Sequence, residues 1–142
     1  MSADEVIAVV DDDEAARESI MDLLRALGFV AAGFRDASEF LGSGDLTRVS
    51  CVIADFRLPG MSGLDLCARI NASARAIPTV LVTAYPDETT RARALQAGVC
   101  CYLSKPLDPE RLLACLASAF STRADGATQL QRPTVRGDDP TV

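Results

Sequence analysis

The chain has 142 residues, 49% of them hydrophobic, and a formal net charge of −6. This length allows one domain with one apolar core, and the acidic balance argues against a protein that binds nucleic acid directly through a basic face. The sequence holds no run of about 18 apolar residues, and its acidic start, MSADEVIAVVDDDE, does not resemble a signal peptide, so we expect a cytoplasmic protein without a membrane segment.

Five apolar runs predict the strands of a parallel sheet. Most are apolar at every position, which is typical of strands that helices cover on both faces. The second run is the weakest of the set. In chain order the runs are VIAVV at 6–10, FVAAGF at 29–34, CVIA at 51–54, IPTVLV at 77–82 and VCCYL at 99–103.

Amphipathic stretches between these runs predict helices. The first ends at Gly28, a residue type that commonly closes a helix. In the last, Asp108 is the expected N-cap and Pro109 the first helical residue. The helical stretches are 12–28, 36–44, 63–72, 86–98 and 108–120. The expected core stripes are Ile20, Leu23, Leu24 and Leu27 in the first helix and Leu112, Leu113, Leu116 and Phe120 in the last.

The alternation of strands and helices predicts an α/β fold. Right-handed crossovers give a five-stranded parallel sheet doubly wound by five helices, a flavodoxin-like (βα)5 three-layer sandwich. We expect this domain to cover residues 1–120. Residues 121–142 are polar and lack a regular apolar period, which predicts a flexible C-terminal tail.

The cysteines fit no metal-binding pattern. Their number is odd, their spacings match no zinc motif, and the chain has no histidine. Each lies in an apolar or helical stretch, where cysteine behaves as a small hydrophobic residue. We therefore expect reduced, structural thiols at Cys51, Cys67, Cys100, Cys101 and Cys115.

Polar residues follow four of the predicted strands. Asp11–Asp13 follow the first, Asp55 ends the third, Thr83 ends the fourth, and Lys105, the only lysine in the chain, follows the fifth. In a doubly wound sheet these positions converge at the carboxyl edge, where ligands bind. Each alone could simply mark the polar end of a strand, but together they predict a site.

The acidic residues at this edge predict a bound cation. Carboxylates ~5 Å apart at an effective dielectric constant of ~20 repel each other by roughly 3 kcal/mol per pair. Because the candidate ligands are oxygens, a hard ion such as Mg²⁺ fits best. It would neutralise the cluster and orient a phosphoryl group while one carboxylate oxygen stays free to attack.

These motifs resemble the receiver domain of two-component response regulators. The resemblance covers about residues 5–120 and rests on Asp11-Asp12, Asp55, Thr83-Ala84 and Lys105-Pro106, in the same order and at the same spacing. The stretches VVDDDEAAR and DFRLPGMSGLDL are most similar to the branch that contains nitrogen-fixation and nodulation regulators.

The resemblance implies roles for the strand-end residues. Asp55 would accept a phosphoryl group from a histidine kinase or a phosphotransfer protein. Asp12, Asp55 and the backbone carbonyl of Arg57 would bind Mg²⁺, with Asp11 helping through water. Thr83 and Lys105 would contact the phosphoryl oxygens. The chain would catalyse phosphoryl transfer to its own aspartate and its removal, and would not be an enzyme acting on a separate substrate.

Further implications concern regulation and output. Tyr102 would be the switch aromatic, moving inward with Thr83, although it could simply close the edge of the core. The Lys105–Pro106 bond would be cis. Arg57 and Tyr85 lie two residues beyond Asp55 and Thr83, so we expect them to screen the acyl phosphate from water; Arg57 could instead form a salt bridge with Asp12.

The partners and two other functions complete the expectations. A downstream protein would bind the face formed by the fourth helix, fifth strand and fifth helix, and phosphorylation could also drive homodimerisation. The sequence shows no helix-turn-helix after residue 120, which favours a stand-alone receiver over a fragment of a longer transcriptional regulator. The other readings are a phosphohydrolase with a D-x-D motif at Asp11 and Asp13, and a docking module that works without phosphorylation.

Overall fold

The computed structural model describes residues 6–44, 48–73 and 77–128, with side chains up to residue 121. Strands and helices alternate throughout, as predicted. The strands are β1 (Val6–Val10), β2 (Ala31–Phe34), β3 (Val49–Asp55), β4 (Thr79–Thr83) and β5 (Cys101–Ser104). The helices are α1 (Glu14–Ala26), α2 (Ala37–Leu41), α3 (Gly63–Asn71), α4 (Glu88–Gln96) and α5 (Pro109–Thr128).

The strands form one parallel sheet in the order β2-β1-β3-β4-β5. The strand order reverses direction between β1 and β3, so helices cover both faces. The predicted fold class, a doubly wound five-stranded α/β sandwich, is confirmed.

Two apolar cores lie on opposite faces of the sheet because strand side chains alternate in direction. On β1, Ala8 and Val10 belong to the core that includes Phe40 and Leu66 from α2 and α3. The neighbouring positions Ile7 and Val9 belong to the other core, which includes residues of α1 and α5. Strands buried on both sides explain why the sequence shows continuous apolar runs.

The core stripe predicted for α5 is wrong at Leu113, whose surface is 45% exposed. The buried residues of this helix are instead Leu112, Cys115, Leu116 and Ala119. These follow the i, i+3, i+4, i+7 spacing of one helix face, and Leu113 lies one residue, or about 100°, away from Leu112. The small residues Cys115 and Ala119 therefore belong to the core face of this helix, and Leu113 does not.

Helix α5 continues beyond residue 120, to Thr128. The backbone therefore stays helical past the boundary that composition suggested for the domain. Residues 129–142, the rest of the predicted tail, lie outside the described residues. The division into a domain and a flexible tail stays a prediction.

Over the described part of the chain, no helix is both long and apolar enough to cross a membrane.

The expectation of five reduced cysteines is wrong for one pair, since Cys101 and Cys115 form a disulfide. Cys101 lies on β5 and Cys115 on the buried face of α5, so packing of the helix on the sheet brings their Cα atoms to 6.3 Å. This separation is within the usual range for a disulfide. Cys51, Cys67 and Cys100 are outside the bond, and Cys51 and Cys67 are buried.

Candidate functional site

The carboxyl ends of four adjacent strands form one edge of the sheet. The register pairs Val10 with Ala54, Asp55 with Val82, and Thr83 with Ser104. The residues that end or follow these strands are therefore neighbours across the sheet. At this edge the predicted site residues lie next to one another, in the order of the strands that carry them: β1, β3, β4 and β5.

Asp11, Asp12 and Asp55 form an acidic cluster at this edge. Each offers one carboxylate oxygen, and these oxygens all lie within 4.8 Å of one another. Asp11 is fully buried, the Asp55 side chain is 14% exposed, and Asp12 is exposed. A set of oxygen donors of this kind suits a hard divalent cation.

Lys105 extends from the end of β5 into the acidic cluster. Its Nζ donates a hydrogen bond of 2.8 Å to Asp11 Oδ2 and lies 3.6 Å from Asp55 Oδ2. Burial by itself lowers the pKa of Lys105, but the hydrogen bond and charge of Asp11, with the charge of Asp55, outweigh it and raise this pKa. The ammonium is therefore held in its charged form beside two carboxylates.

The pKa of Asp55 is raised above its ordinary value. Burial is the largest cause, and the negative charges of Asp11 and Asp12 act in the same direction. The charge of Lys105 and a hydrogen bond from the backbone N–H of Arg57 oppose the shift without cancelling it. An ionised Asp55 is thus an incompletely neutralised carboxylate, which is suited to act as a nucleophile or a metal ligand.

Asp13 is not part of the acidic cluster. Its side chain caps α1, where Oδ1 accepts hydrogen bonds from Ala15 N at 3.0 Å and Ala16 N at 3.4 Å. A D-x-D phosphohydrolase needs both acids at the reacting centre, whereas the structure uses the second one as a helix cap. The geometry therefore disfavours that reading.

Thr83 and Tyr102 lie along β4 and β5, between the acidic cluster and α4. The buried Thr83 accepts a 3.1 Å hydrogen bond at Oγ1 from Tyr85 N. The Tyr102 hydroxyl accepts a 3.3 Å hydrogen bond from Asp87 N, at the N-cap of α4. Half-buried Tyr102 also packs against the core that contains Leu81. Both hydroxyls thus bind the β4–α4 loop.

Arg57 and Tyr85 contact each other across the edge. The Arg57 Cζ atom lies 5.4 Å from the centroid of the Tyr85 ring, and that ring is 72% exposed. This is the geometry of a cation–π contact. The ion pairs of the described residues do not include the alternative one between Arg57 and Asp12.

The β3–α3 loop brings α3 close to Asp55. Gly60 has a φ of 79°, a conformation that glycine adopts without strain. Gly63 N donates a 2.8 Å hydrogen bond to Phe56 O, and a Cβ at Gly63 would lie only 2.7 Å from Asp55 O. The Lys105–Pro106 bond on the other side of the site is cis, the isomer that the resemblance implies.

Sequence reasoning missed three residues that support the site: Arg17, Gly33 and Gly63. Arg17 Nη1 donates a 2.8 Å hydrogen bond to the backbone carbonyl of Asp11. Gly33 lies beside the Arg17 side chain, and Gly63 beside Asp55. Arg17 and Gly63 fall within the motifs that carry the resemblance, but local spacing does not show that they reach across to another element.

Known proteins match most of this chain. Residues 7–117 match the family described as the response regulator receiver domain. Transcriptional regulatory protein FixJ of Bradyrhizobium diazoefficiens is 35% identical over 114 residues, which make up 80% of this chain and 56% of FixJ. Nodulation protein W of the same organism is 36% identical over 117 residues, covering 80% of this chain and 50% of the relative.

Solved structures agree with these matches. Full-length FixJ from B. japonicum superposes with a TM-score of 0.75 at 35% identity, covering 86% of this chain and 60% of FixJ. The response regulator StyR gives a TM-score of 0.77 at 34% identity, covering 89% of this chain and 64% of StyR. The chain thus spans a little over half the length of the curated FixJ relatives.

Proposed function

Because this chain belongs to the response regulator receiver domain family, on the nitrogen-fixation and nodulation branch, we propose that Asp55 is its phosphoacceptor. The donor would be a phosphohistidine of a histidine kinase or of a phosphotransfer protein. The observation that carries the proposal is the placement of a half-buried carboxylate between two further acids and a lysine ammonium. The chain would act in the cytoplasm as a signalling protein.

The acidic cluster fits the Mg²⁺ that receiver domains require. Asp12, Asp55 and the backbone carbonyl of Arg57 would hold the ion, and Asp11 would contribute through water. Three carboxylate oxygens within 4.8 Å of one another offer an all-oxygen donor set of suitable size. When bound, the ion neutralises charge on the cluster and on the incoming phosphoryl group.

The protein groups then perform a phosphoryl transfer to the chain itself. A carboxylate oxygen of Asp55 forms the new O–P bond while the P–N bond of the phosphohistidine breaks, and the imidazole nitrogen keeps the electron pair. Lys105 Nζ, 3.6 Å from Asp55 Oδ2, would bind one phosphoryl oxygen, and the Thr83 hydroxyl would bind another. Hydrolysis later returns Asp55, so no separate substrate is converted.

Thr83 and Tyr102 would pass the change on to α4. Thr83 Oγ1 accepts its hydrogen bond from Tyr85 N, and that bond would be lost as the hydroxyl moves towards a phosphoryl oxygen, to which its O–H would donate. The β4–α4 loop then moves, and Tyr102 gives up its bond with Asp87 N and turns inward. Two hydrogen bonds therefore hold the unphosphorylated arrangement, and both are exchanged in the switch.

The surface that reads out this change would be α4, β5 and α5. A cleft there is lined by Tyr102, Arg91 of α4 and Arg111 of α5, beside the Asp87 N-cap. We propose that a downstream protein, or a second phosphorylated copy, binds this face, without direct nucleic-acid or membrane contact. The stand-alone arrangement and the alternative, the front of a longer transcriptional regulator, use the site in the same way, and stand-alone action stays a prediction.

Mass spectrometry after incubation with acetyl phosphate and Mg²⁺ tests the phosphoacceptor. We expect the mass to rise by one phosphoryl group in the wild type and in Asp13→Ser, which keeps a helix-capping side chain but removes the carboxylate. Asp55→Asn should show no rise. A mass rise in Asp55→Asn, or its loss in Asp13→Ser, would point to β1 as the source of the nucleophile and contradict the proposal.

The switch is tested with Tyr102→Phe, which removes only the hydroxyl. We expect phosphorylation at Asp55 to continue, while the Asp87 amide NMR signal of the unphosphorylated protein shifts towards its phosphorylated position. An Asp87 signal that is the same in both unphosphorylated proteins would show that the Tyr102 hydroxyl takes no part in the switch.

Pull-downs with and without a phosphoryl mimic at Asp55 identify the partner.

A further inference from the structure

Arg17 completes the hydrogen bonding of Asp11, the buried acid of the site. The carboxylate of Asp11 accepts from Lys105 Nζ at 2.8 Å and from Asp13 N at 3.0 Å. Its backbone N–H donates to Phe34 O at 3.0 Å. Its backbone carbonyl accepts from Arg17 Nη1 at 2.8 Å. The guanidinium therefore supplies one of the four bonds that fix a residue with no exposed surface.

The backbone of Asp11 lies just beyond the paired part of β1. The β1–β2 register ends at Val10 and Phe34, so the ladder does not continue past this point to a partner for the Asp11 carbonyl. The backbone N–H of Arg17 donates to Asp13 O at 2.9 Å as the i→i−4 bond of the first turn of α1, which any residue at this position would form. The bond that is specific to the arginine is therefore the one from its side chain to the Asp11 carbonyl.

Gly33 leaves room for the Arg17 side chain to reach this carbonyl. Gly33 lies on β2 opposite Val9 of β1. A Cβ at Gly33 would be 2.6 Å from Met21 Sδ, 3.1 Å from Arg17 Cδ and 3.4 Å from Arg17 Cγ, so the glycine leaves room for two side chains of α1. The aliphatic part of the arginine therefore crosses β2 at a residue without a side chain. The Arg17 side chain is therefore packed against β2 in a defined position, unlike the side chain of an arginine that is surrounded by solvent.

We propose that Arg17 is a positioning residue that orders the Asp11–Asp13 loop so that Asp11 and Asp12 face Asp55 as one cation-binding cluster. This inference rests on the proposed function, because the cluster is taken to bind Mg²⁺. Groups that orient metal ligands through their backbone or side chains contribute to metal affinity without touching the ion. Arg17 would contribute to the Mg²⁺ affinity of the site in this way.

A purely electrostatic role for Arg17 makes the opposite prediction. A positive charge near the acids repels Mg²⁺, so its removal should tighten Mg²⁺ binding. Loss of loop order should weaken Mg²⁺ binding instead. The sign of the change in dissociation constant therefore separates positioning from charge.

The test compares Arg17→Met, which keeps the length of the stem but loses the charge and donors, with Arg17→Gln, which keeps a donor. Arg25→Met is the matched control, since Arg25 lies on the same helix, is exposed and pairs with Asp22 at the surface. Isothermal titration with Mg²⁺ gives the dissociation constant. Acetyl phosphate labelling at varied Mg²⁺ gives the rate, and thermal unfolding shows whether each variant folds.

We expect Arg17→Met to raise the Mg²⁺ dissociation constant by about tenfold, Arg17→Gln by less, and Arg25→Met by under about twofold. The labelling rate of Arg17→Met should return to within about twofold of the wild type at saturating Mg²⁺, because the nucleophile is intact. In metal-free protein the Asp13 amide, which donates to Asp11 Oδ1, should shift in Arg17→Met and not in Arg25→Met.

An unchanged or lower dissociation constant in folded Arg17→Met would overturn the inference, as would an unchanged Asp13 amide. Failure of the proposed function would look different, because wild-type protein would then take up no phosphoryl group at Asp55. The metal-free NMR comparison reads the loop itself, so it remains decisive in that case.

Discussion

The ammonium of Lys105 donates its 2.8 Å hydrogen bond to Asp11, the fully buried acid of the site, and lies 3.6 Å from Asp55. The lysine therefore balances the charge of a carboxylate that has no exposed surface in the metal-free fold, while it remains near the phosphoacceptor. Charge balance within the fold and phosphoryl binding depend on the same side chain.

Replacing Lys105 with methionine should destabilise the fold by about 2–3 kcal/mol, because it leaves the buried Asp11 carboxylate without its cation. Urea unfolding in metal-free buffer measures the effect. Adding Asp11→Asn to Lys105→Met should recover part of the loss, since the remaining group is neutral. Equal urea midpoints for Lys105→Met and the wild type would show that the ion pair contributes nothing.

Asp55→Asn should stabilise the metal-free protein at pH 7, by about 2–4 °C in melting temperature. Burial, then the charges of Asp11 and Asp12, raise the pKa of Asp55 in the fold. Such a carboxyl stabilises the fold below its unfolded pKa and loses this contribution as pH rises through the folded pKa. The advantage of Asp55→Asn should therefore shrink as pH falls towards the ordinary value of 3.8.

Melting curves between neutral and acidic pH, with the exposed Asp22→Asn as control, check this prediction. Asp22 pairs with Arg25 at 3.5 Å on the surface, where such pairs contribute little. A lower melting temperature for Asp55→Asn at pH 7 would mean that Lys105 and the Arg57 amide neutralise the carboxylate completely.

Gly63→Ala should cost about 1–3 kcal/mol in unfolding free energy and slow phosphorylation, because the new Cβ would overlap the site. It would lie 2.6 Å from Leu81 Cδ2 and 2.7 Å from Asp55 O, and the backbone oxygen cannot move without Asp55. Gly60→Ala is the contrast, since its φ is 79° but nothing lies within 4 Å of its Cβ. If Gly63→Ala labels as fast as Gly60→Ala, the close approach does not position Asp55.

Arg57→Asn combined with Tyr85→Ala should shorten the lifetime of the phosphorylated protein. An exposed cation–π contact is worth about 0.5–1 kcal/mol, which corresponds to about a two- to fivefold faster hydrolysis if the contact screens the acyl phosphate. Loss of label over time, after acetyl phosphate is removed, measures the rate. Arg69→Asn, an exposed arginine on α3, serves as control, and an unchanged lifetime in the double variant would exclude screening.

Cys101→Ser or Cys115→Ser should each lower stability by about 3 kcal/mol under oxidising conditions, the loss expected for a closed loop of about 15 residues. Cys100→Ser, next in sequence but outside the disulfide, should cost much less. Thiol titration of the unfolded, unreduced protein should find the three thiols of Cys51, Cys67 and Cys100. Five titrated thiols would show instead that all five cysteines are reduced, as the sequence predicts.

The fold and the position of the acidic cluster could be predicted because both follow from order along the chain. A parallel sheet makes buried strands apolar on both faces, so the sequence runs show where strands lie. Once the strands are ordered, Asp11, Asp55, Thr83 and Lys105 must share one edge. The period of an apolar stripe likewise located α5, although it did not distinguish Leu113 from the smaller core residues.

Contacts between distant elements could not be predicted from local patterns. The disulfide depends on how α5 packs against β5, and the Arg17 side chain reaches the Asp11 carbonyl past Gly33 of β2. Gly63 is the first residue of the predicted third helix, and only the 2.7 Å from a Cβ at this position to Asp55 O shows why a glycine is needed there. In each case the decisive quantity is a separation in space between residues whose sequence spacing is uninformative.

Because helices bury both faces of the sheet, the site and the outer surfaces of the helices are separate parts of the molecule. Every group with a proposed chemical role lies at the end of a strand or in the loop that follows it, and none lies on the outward surface of a helix. Those outward surfaces are thus free to diversify, or to be redesigned, for one binding protein or another. The choice of binding partner can therefore change while the residues at the carboxyl edge of the sheet stay the same.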